Sequence, residues 1–372
     1  LAGLGGVIWA FSSYFFILIP AGHIWKFVTL AYIPPTIAGV VLAYRKKYLL
    51  GGIITALFIA LQIQSNHIQM SYYFMFVILF FVGAYFEDAY KKKELPHFFK
   101  ASGVLALAAV VGVCINISNL YHTYEYSKET MRGKSELKQE GAAASQTSSG
   151  LDRDYITNWS YGIGETFSLL VPNVKGGASV PLSRSEKAME KANPMYSSLY
   201  SQLTQYFGDQ PMTSGPVYVG AFVLMLFILG CFIVKGPMKW ALLGATIFSI
   251  LLSWGKNFMG LTDFFIDYIP MYNKFRAVSS ILVIAEFTIP LLAILTLKEI
   301  LTKPELLKEK LKYIYISFGL TGGLALLFAI APRLFFPTYI PGNEMAALQN
   351  ALPADQLSPI IANLEEMRVH LF

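Results

Sequence analysis

Apolar residues run along the chain in nine long stretches, separated by short polar connections and one long one. The stretches cover approximately residues 3–19, 27–43, 49–64, 69–86, 101–117, 216–234, 239–254, 279–297 and 312–331. A helix needs about 20 apolar residues to cross the roughly 30 Å hydrocarbon core of a bilayer, so the shorter stretches imply tilt or local thinning. Backbone groups in lipid must be satisfied within the segment, and strand-like alternation is absent. The pattern predicts an all-α, polytopic transmembrane helix bundle of about nine spans.

The composition supports a membrane protein. Of the 372 residues, 55% are hydrophobic and only 14% are charged, whereas a soluble domain carries roughly 25% charged residues. Too few charged side chains remain to cover a water-exposed surface, so the soluble, disordered and coiled-coil classes are excluded. The two cysteines, Cys114 and Cys231, lie within apolar stretches and allow neither a disulfide framework nor a cysteine zinc site.

The net charge of +6 reflects helix orientation rather than a nucleic-acid partner. Fourteen lysines and arginines fall on the second, fourth, sixth and eighth connections, against four on the short odd-numbered ones. Cytoplasmic loops carry such an excess, so we expect the even connections to face the cytoplasm. The odd connections, including the long one at 118–215, and the tail after Pro332 then face outward. We predict a multi-pass membrane protein that binds no nucleic acid.

This topology divides the chain into four parts. They are a first group of five spans, an outward-facing loop region, a second group of four spans and an outward tail, at 1–117, 118–215, 216–331 and 332–372. Within the loop region, 141–150 is a polar low-complexity piece that we predict to be mobile, and a short helix is predicted near 185–192. The chain starts without an initiator Met or a signal-peptide pattern and stops without a capping sequence, so we expect an internal fragment of a longer polypeptide.

Polar residues that topology does not explain concentrate at the outward ends of the spans. They are His23, Asn66, His67, Gln69, Trp159, Glu165, Asp209, Gln210, Lys256, Asp263, Asp267, Asn273, Lys274 and Arg276. Lys256, Lys274 and Arg276 lie in one connection between apolar helices, and such cations suit a lipid phosphate. A hydroxyl acceptor needs a carboxylate or an imidazole as its base. Any chemistry is therefore expected on the outward face.

Glu286 stands apart from this outward set. It lies about eight residues into the stretch 279–297, close to the predicted midplane. An ionisable residue there costs at least ~2.5 kcal/mol on insertion scales and is a functional candidate by default. Pro290 follows four residues later, and its missing N–H frees the carbonyl of residue 286. Two interpretations stay open: a protonated Glu286 beside a helix kink, and a Glu286 that lines a donor cavity.

Several outward motifs resemble those of the YfhO family of bacterial membrane proteins. The motifs are GHIWK at 22–26, NHIQMSYY at 66–73, WSYGIGET at 159–166, Gly176-Gly177, YFGDQPMTSGPVYVG at 206–220, GKN at 255–257 and NKFRA at 273–277. The resemblance implies a GT-C-like fold and a glycosyltransferase in the bacterial cytoplasmic (inner) membrane. A sugar would pass from a polyprenyl-phosphate-linked donor to a cell-envelope glycan acceptor on the outer leaflet. The cofactor, including any divalent cation, stays open.

On this basis we assign roles to the outward residues. Glu165, His67 and His23 are the predicted catalytic residues, and Lys256, Lys274 and Arg276 the predicted ligands of the donor phosphate. The predicted cavity lining is Asn66, Gln69, Trp159, Asp209, Gln210, Asn273 and Glu286. No metal site is predicted. GT-C enzymes usually carry an acidic motif in their first outer loop, so we expect the main catalytic carboxylate to lie ahead of Leu1.

Two other classes of function stay open. Glu286, together with a helix break predicted at Pro34-Pro35, is typical of a transporter or flippase for a lipid-linked or small polar substrate. A transporter needs polar residues through the membrane depth, however, and the predicted midplane has few. The long 118–215 loop region also permits a non-catalytic membrane scaffold that holds partner proteins.

Overall fold

The structure is a computed structural model that describes residues 1–133 and 150–371, and over these residues the regular secondary structure is helical. Extended chain pairs at one isolated bridge, between Pro181 and Thr204. The predicted low-complexity piece lies almost wholly outside the described residues. The first helix group comprises α1 Ala2–Ala10, α2 Ser13–Leu18, α3 Ile24–Ala31, α4 Ile33–Tyr44, α5 Tyr48–Gln64, α6 Ile68–Lys92, α7 Leu95–Cys114 and α8 Ile117–Lys128.

The rest of the described chain holds short helices around a second group of long ones. The α-helices are α9 Arg153–Thr157, α10 Glu186–Met189, α11 Ala221–Ile233, α12 Pro237–Ser253, α13 Met259–Tyr268, α14 Val283–Thr302, α15 Leu306–Glu309, α16 Leu311–Phe318, α17 Leu324–Ile330, α18 Pro332–Phe335, α19 Gly342–Ala351 and α20 Ala354–Leu371. The 3₁₀ turns are Gly164–Leu169, Leu182–Arg184, Pro194–Tyr196, Leu199–Ser201, Gly255–Phe258, Tyr272–Lys274 and Val278–Leu282, and a π turn spans Gly319–Gly323.

Five helices in the described residues are long and apolar enough to cross a membrane. They are Ile24–Tyr44, Ile68–Lys92, Leu95–Cys114, Val278–Thr302 and Leu311–Ile330. A sixth candidate is the pair Pro237–Ser253 and Gly255–Tyr268, which is bent by 108°. The remaining predicted stretches are helical but shorter, namely Ala2–Leu18, Tyr48–Gln64 and Ala221–Ile233. Each of the nine apolar stretches thus coincides with a helix, while the count of nine spans stays a prediction.

Small residues allow the helices of the first group to approach closely. A Cβ on Gly51 of α5 would lie 2.5 Å from the backbone nitrogen of Ala43 on α4. On Gly112 of α7, a Cβ would meet the Ile59 side chain of α5 at 2.8 Å. Helices without side chains at the contact gain backbone-to-backbone van der Waals packing, which is a main source of helix association in lipid. The α4, α5 and α7 helices therefore form one tightly packed layer.

The central helix of the second group is α14. Its Val283–Pro290 segment is buried throughout because α11 and α12 pack on it and α6 packs on α12. Gly230 of α11 lies against Thr296 of α14, where a Cβ would meet the threonine hydroxyl oxygen at 2.2 Å. This arrangement encloses Glu286 in protein rather than exposing it to lipid, since its exposed fraction is only 2%.

A cavity of about 530 Å³ lies at the end of the bundle where α12 begins. Its lining includes Arg45, Lys92, Lys235 and Lys298, one from each of the four lysine-rich connections. These connections therefore meet at one end of the bundle, as their alternation predicts. Which side of a membrane this end faces stays a prediction, as does the outward placement of the opposite end.

At the opposite end of the bundle, the tail folds onto the loop region. Apolar side chains of both form one buried cluster, made of Leu182, Ala188, Tyr200, Leu203, Ile340, Leu348, Leu364, Met367 and Leu371. The predicted short helix near 185–192 is present as α10 and packs against α20. The sequence treats the loop region and the tail as separate parts, whereas in the structure they share a core.

A fully buried arginine fixes the tail. Arg368 on α20 is 0% exposed and donates two hydrogen bonds, of 2.6 and 2.9 Å, to the Glu344 carboxylate. It also donates to the carbonyl oxygens of Tyr339 (2.8 Å) and Thr204 (2.6 Å), the second of which belongs to the loop region. A guanidinium removed from water needs such partners, so this contact links the tail to the loop region.

We predict that Glu344→Ala releases the tail. Removing one partner of a buried ion pair leaves the other charge uncompensated and costs about 3–5 kcal/mol. The expected results are a lower melting temperature and faster proteolysis within residues 340–371 of the detergent-solubilised protein. Glu190→Ala is the matched control, because Glu190 pairs with His370, which lies on α20 like Arg368. The Glu190 side chain is 65% exposed, so its removal should cost less than about 1 kcal/mol of stability. Equal losses in both variants would contradict the structural role of Arg368.

Candidate functional site

A cavity of about 720 Å³, here called the carboxylate cavity, opens where α12 ends. This volume is within the roughly 300–1,000 Å³ that small-molecule sites occupy. Four segments of the chain line it, near Glu165, Lys175, Asp209 and Lys256, and the tail adds a fifth through residues 335–338 and 341–343. The tail was not predicted as part of the site because no local pattern links it to a loop more than a hundred residues earlier.

Glu165 lies in the wall of the carboxylate cavity and is 3% exposed. One carboxylate oxygen accepts hydrogen bonds from the Tyr206 hydroxyl (2.8 Å) and the Gln210 amide (3.0 Å). The other accepts from the backbone N–H groups of Gly162 (3.1 Å) and Asp209 (3.4 Å). Burial raises the pKa of Glu165, and these four donors oppose that rise. Because four donors already occupy the carboxylate oxygens, Glu165 is poorly placed to accept a proton from a substrate. Its role is to hold the residues of the cavity wall in position.

Asp209 is the exposed carboxylate of the same cavity. Its side chain accepts a hydrogen bond of 3.0 Å from the Asn257 amide, which also donates to the Tyr161 carbonyl at 2.9 Å. Lys256 donates through Nζ to the backbone carbonyl of Asp209 at 3.1 Å. Asp209 is thereby oriented by groups that follow α12, while its carboxylate stays open to the cavity.

Lys175 is a cavity residue that the sequence analysis did not single out. Its ammonium lies 5.2 Å from the centre of the Phe207 ring and donates to the Thr338 carbonyl at 3.3 Å. Burial lowers the pKa of Lys175, and the nearby carboxylates of Asp209 and Glu165 oppose that shift. A lysine directly before a Gly-Gly pair at 176–177 was the signal available in the sequence.

A second group of polar residues lies at the same end of the bundle, and we call it the basic cluster. It consists of His23, Lys26, His67 and Arg276. Their charges interact, since Lys26 and Arg276 both influence His23, and Lys26 and His23 both influence His67. Gln69, next to His67 on α6, donates to the Arg276 carbonyl at 2.7 Å and holds this residue at the cluster.

This environment lowers the pKa of both histidines and so favours their neutral forms. Burial and the charge of Lys26 lower the pKa of His67 to about 4. Burial, Lys26 and Arg276 lower the pKa of His23 in the same direction. Nδ1 of His67 is buried and has no hydrogen-bond partner among the described residues. As a base, a histidine of such low pKa is weak, so the predicted catalytic role of His67 finds little support in its surroundings.

Short contacts join the basic cluster to the carboxylate cavity. The Ser279 N–H donates to the Trp159 carbonyl at 3.0 Å, and the next residue, Ser280, accepts a hydrogen bond of 3.2 Å from Lys26. Gly255 closes the junction, because a Cβ there would lie 2.1 Å from the Ser160 hydroxyl oxygen. Its φ of +45° also favours glycine. These contacts make the two sites neighbours, and we call the residues between them, 159–160, 255 and 279–280, their common wall.

Other residues of the predicted site have separate partners. Lys274 donates to the Arg132 carbonyl at 2.7 Å, so the three predicted phosphate ligands engage three different sets of residues. The backbone carbonyl of Asn273 accepts from Leu151 at 2.9 Å, and Trp159 donates through its indole to the Met212 carbonyl at 3.3 Å. Asn66 adopts φ +58° in the turn between α5 and α6.

Glu286 and the aspartates of α13 are held by neighbouring side chains. The Glu286 carboxylate accepts hydrogen bonds from Ser12 and from Ser13, the latter at 3.2 Å, where α2 follows α1. Arg153 forms ion pairs of 2.7 Å with both Asp263 and Asp267. Glu286, Asp263 and Asp267 were functional candidates from the sequence, and each has a structural partner within the protein.

The predicted site residues fall into two groups. Glu165, Asp209, Gln210 and Lys256 line the carboxylate cavity, whereas His23, His67 and Arg276 interact electrostatically with Lys26. No family model, curated protein or solved structure matches the chain. The site is therefore interpreted from its own geometry.

We predict that Gly208→Ala disrupts the carboxylate cavity. Its Cβ would lie 2.3 Å from the Tyr206 hydroxyl oxygen, which donates to Glu165 and accepts from the Gln210 N–H. Overpacking of this kind costs about 1–3 kcal/mol. Melting temperature and amide exchange at 206–211 measure the effect. Gly342→Ala is the control, since this cavity residue has no atom within 4 Å of its Cβ position; an equal loss there would refute the prediction.

We also predict that His67 makes stability dependent on pH. The folded state binds fewer protons than the unfolded state once the pH falls below about 6.5, so stability decreases between pH 6.5 and about 4. Acidification from pH 7 to 5 should cost about 2 kcal/mol through this residue. Melting curves in phosphate-free buffer should show a smaller pH dependence for His67→Gln than for wild type, and His122→Gln, at an exposed position, is the control. An unchanged dependence in His67→Gln would contradict the assignment.

Proposed function

We propose that this chain belongs to a bacterial inner-membrane glycosyltransferase. It would transfer a sugar from a polyprenyl-phosphate-linked donor to a cell-envelope glycan acceptor on the outer leaflet. The observation that carries the proposal is the carboxylate cavity, which holds an exposed carboxylate, amides and lysines at one end of an apolar bundle. Amides and carboxylates bind sugar hydroxyl groups through hydrogen bonds, and the neighbouring cations suit a phosphate leaving group.

Asp209 is the residue that we assign to proton transfer. Its carboxylate would take the proton of the acceptor hydroxyl as the hydroxyl oxygen attacks the anomeric carbon of the donor sugar. The bond from that carbon to the phosphate oxygen breaks, and its electron pair leaves with the lipid phosphate. This gives Asp209 the role that the family resemblance places in an acidic motif ahead of Leu1. Glu165 then acts as a positioning residue, because it accepts the Asp209 N–H.

Lys256 and Asn257 fit the same assignment. Both follow directly after α12 and hold Asp209 through its carbonyl and its carboxylate. A base held at two points loses little conformational freedom when it binds substrate, which is how an oriented group lowers a reaction barrier. Lys175 also lines the cavity. The carboxylates of Asp209 and Glu165 favour the charged form of this lysine, which adds a positive charge to the cavity.

The finer architecture belongs to the same proposal. A nine-span, GT-C-like bundle would place the shorter helices Ala2–Leu18, Tyr48–Gln64 and Ala221–Ile233 across the membrane with local thinning. The described residues of the loop region, 118–133 and 150–215, and the tail would then form an extracytoplasmic cap over the carboxylate cavity. The shared core of these two segments supports this arrangement, because two segments that pack into one buried cluster must lie on the same side of the membrane.

A transporter or flippase is the second candidate. One observation favours it, namely that Glu286 meets Ser12 and Ser13 at a helix break within the apolar bundle. Those hydroxyl groups satisfy the carboxylate within the protein, however, and the other buried polar groups of α14 are threonines bonded to their own helix. A transferase accounts for both the carboxylate cavity and the oriented carboxylate of Asp209, whereas a transporter accounts for neither. A scaffold role would require neither feature.

We predict that Asp209→Asn abolishes the glycan modification. The amide keeps the size of the side chain but cannot take the proton, so transfer should fall by at least about 100-fold. The measurement compares surface glycans of a deletion strain complemented with the intact wild-type or variant protein, at matched protein levels. Asp154→Asn, at an exposed position in the same loop region, should restore the wild-type profile.

Glu165→Gln separates positioning from proton transfer. A glutamine can keep only some of the four hydrogen bonds, so transfer should decrease with a parallel drop in melting temperature. Asp209→Asn should lose transfer at an unchanged melting temperature. Full activity of Asp209→Asn in the glycan assay would overturn the proposed function of this cavity.

A further inference from the structure

Lys26 is a buried cation that lacks an acidic partner. Its exposed fraction is 8%, and its ammonium donates one hydrogen bond, of 3.2 Å, to the Ser280 hydroxyl. Among the described residues Lys26 takes part in no ion pair. Removal of an ammonium group from water costs several kcal/mol unless a counter-charge compensates it. Two of its three N–H donors have no partner within the described chain.

The surroundings of Lys26 increase this positive potential. Arg276 influences Lys26 and His23 electrostatically, and no carboxylate contributes to the environment of Lys26, His23 or His67. Arg276 donates through one nitrogen to the Tyr155 hydroxyl at 2.5 Å and stacks 5.4 Å from that ring. Its other N–H groups make no hydrogen bond to described residues. The guanidinium is thus anchored at one side and available at the other.

Two helix N-termini point into the same cluster. The α3 helix begins after His23 and α6 begins after His67, and neither has a side-chain cap. The first N–H groups of a helix and its dipole favour an anion at this position. The buried, unpartnered Nδ1 of His67 adds one more group that a ligand can satisfy, since the neutral ring donates to an anion in the tautomer whose proton is on Nδ1.

The basic cluster is open on the side where apolar residues are exposed. Arg276 and His23 are exposed, His67 is half-buried and Lys26 is buried, so the charge extends from the surface inward. Next to them, Ile24 and Trp25 are 49% and 65% exposed. A cluster of cationic groups beside exposed apolar side chains at the end of a membrane helix matches an anionic head group with an attached hydrocarbon chain.

We propose that the basic cluster is a binding site for a phosphate group and that Lys26 and Arg276 are its principal ligands. The proposal rests on the proposed function for the identity of the carrier, a polyprenyl phosphate whose chain lies against Ile24 and Trp25. It places the donor phosphate at this cluster rather than on Lys256 and Lys274. The common wall at Ser160 and Gly255 then brings the anomeric carbon, bonded to that phosphate, toward the carboxylate cavity.

Binding to the full chain in detergent micelles tests this proposal with three probes. They are polyprenyl phosphate, the corresponding polyprenol and inorganic phosphate. We expect polyprenyl phosphate to raise the melting temperature and to bind at least tenfold more weakly to Lys26→Met and to Arg276→Gln, and polyprenol to have no effect. Lys91→Met, at the far end of α6 from His67, is the matched control and should bind as wild type does.

The inorganic phosphate probe distinguishes the two sources of the anion. If inorganic phosphate raises the melting temperature of the wild type but not of Lys26→Met, the site is supported and the phosphate group alone is its ligand. Protection by polyprenyl phosphate without any by inorganic phosphate supports the site with the lipid as the ligand. Equal binding of polyprenol and polyprenyl phosphate, or unchanged affinity in both variants, overturns the proposal.

The ligand-free stability of Lys26→Met gives a second readout. Removal of an uncompensated buried charge should leave the melting temperature equal or higher, whereas a structural lysine would lower it. Arg276→Gln changes an exposed residue and carries the test if Lys26→Met does not accumulate. If glycan transfer persists in cells whose protein carries both Lys26→Met and Arg276→Gln, the phosphate site is refuted but the proposed function is not. Lipid phosphate binding by a wild-type protein without any transfer product refutes the proposed function alone.

Discussion

A charged side chain that is removed from water must find compensating partners, and this bundle buries four such groups within the described residues. They are Lys26, Glu165, Glu286 and Arg368. Three of them are compensated by the protein: Glu165 by four donors, Glu286 by two serine hydroxyls and Arg368 by a carboxylate and two carbonyls. Lys26 has a single serine. The difference separates three groups that the protein itself compensates from one group for which we propose a ligand as the partner.

Compensation also explains how the carboxylate cavity is assembled. Glu165 gathers the donors of Gly162, Asp209 and Gln210 into one wall, and this leaves Asp209 as the exposed acid. Arg368 fixes the tail to the loop region, so that the tail residues near Phe336 close the other wall. The two buried charges thus hold the surfaces between which a substrate would bind.

Much of the fold followed from the sequence because membrane helices are encoded locally, by the length and apolar content of each stretch. All nine apolar stretches are helical, and the lysine-rich connections meet at one end as predicted. The site was less accessible to such reasoning. Lys274 and Arg276 are two residues apart, yet positive φ angles at Met271 and Ala277 turn the chain on either side of them. They consequently face different partners.

Lys26 shows the limit of sequence reasoning in the other direction. At the start of an apolar stretch, a lysine normally extends its ammonium to the head groups, and nothing in the local pattern distinguishes this one. Burial against Ser280 depends on residues more than 250 positions away. The separation of acids from cations has a chemical use as well. A carboxylate beside Lys26 would occupy the place of the proposed phosphate. In the proposed transferase, two adjacent sites, rather than one shared pocket, would let the acid and the cations act on one substrate.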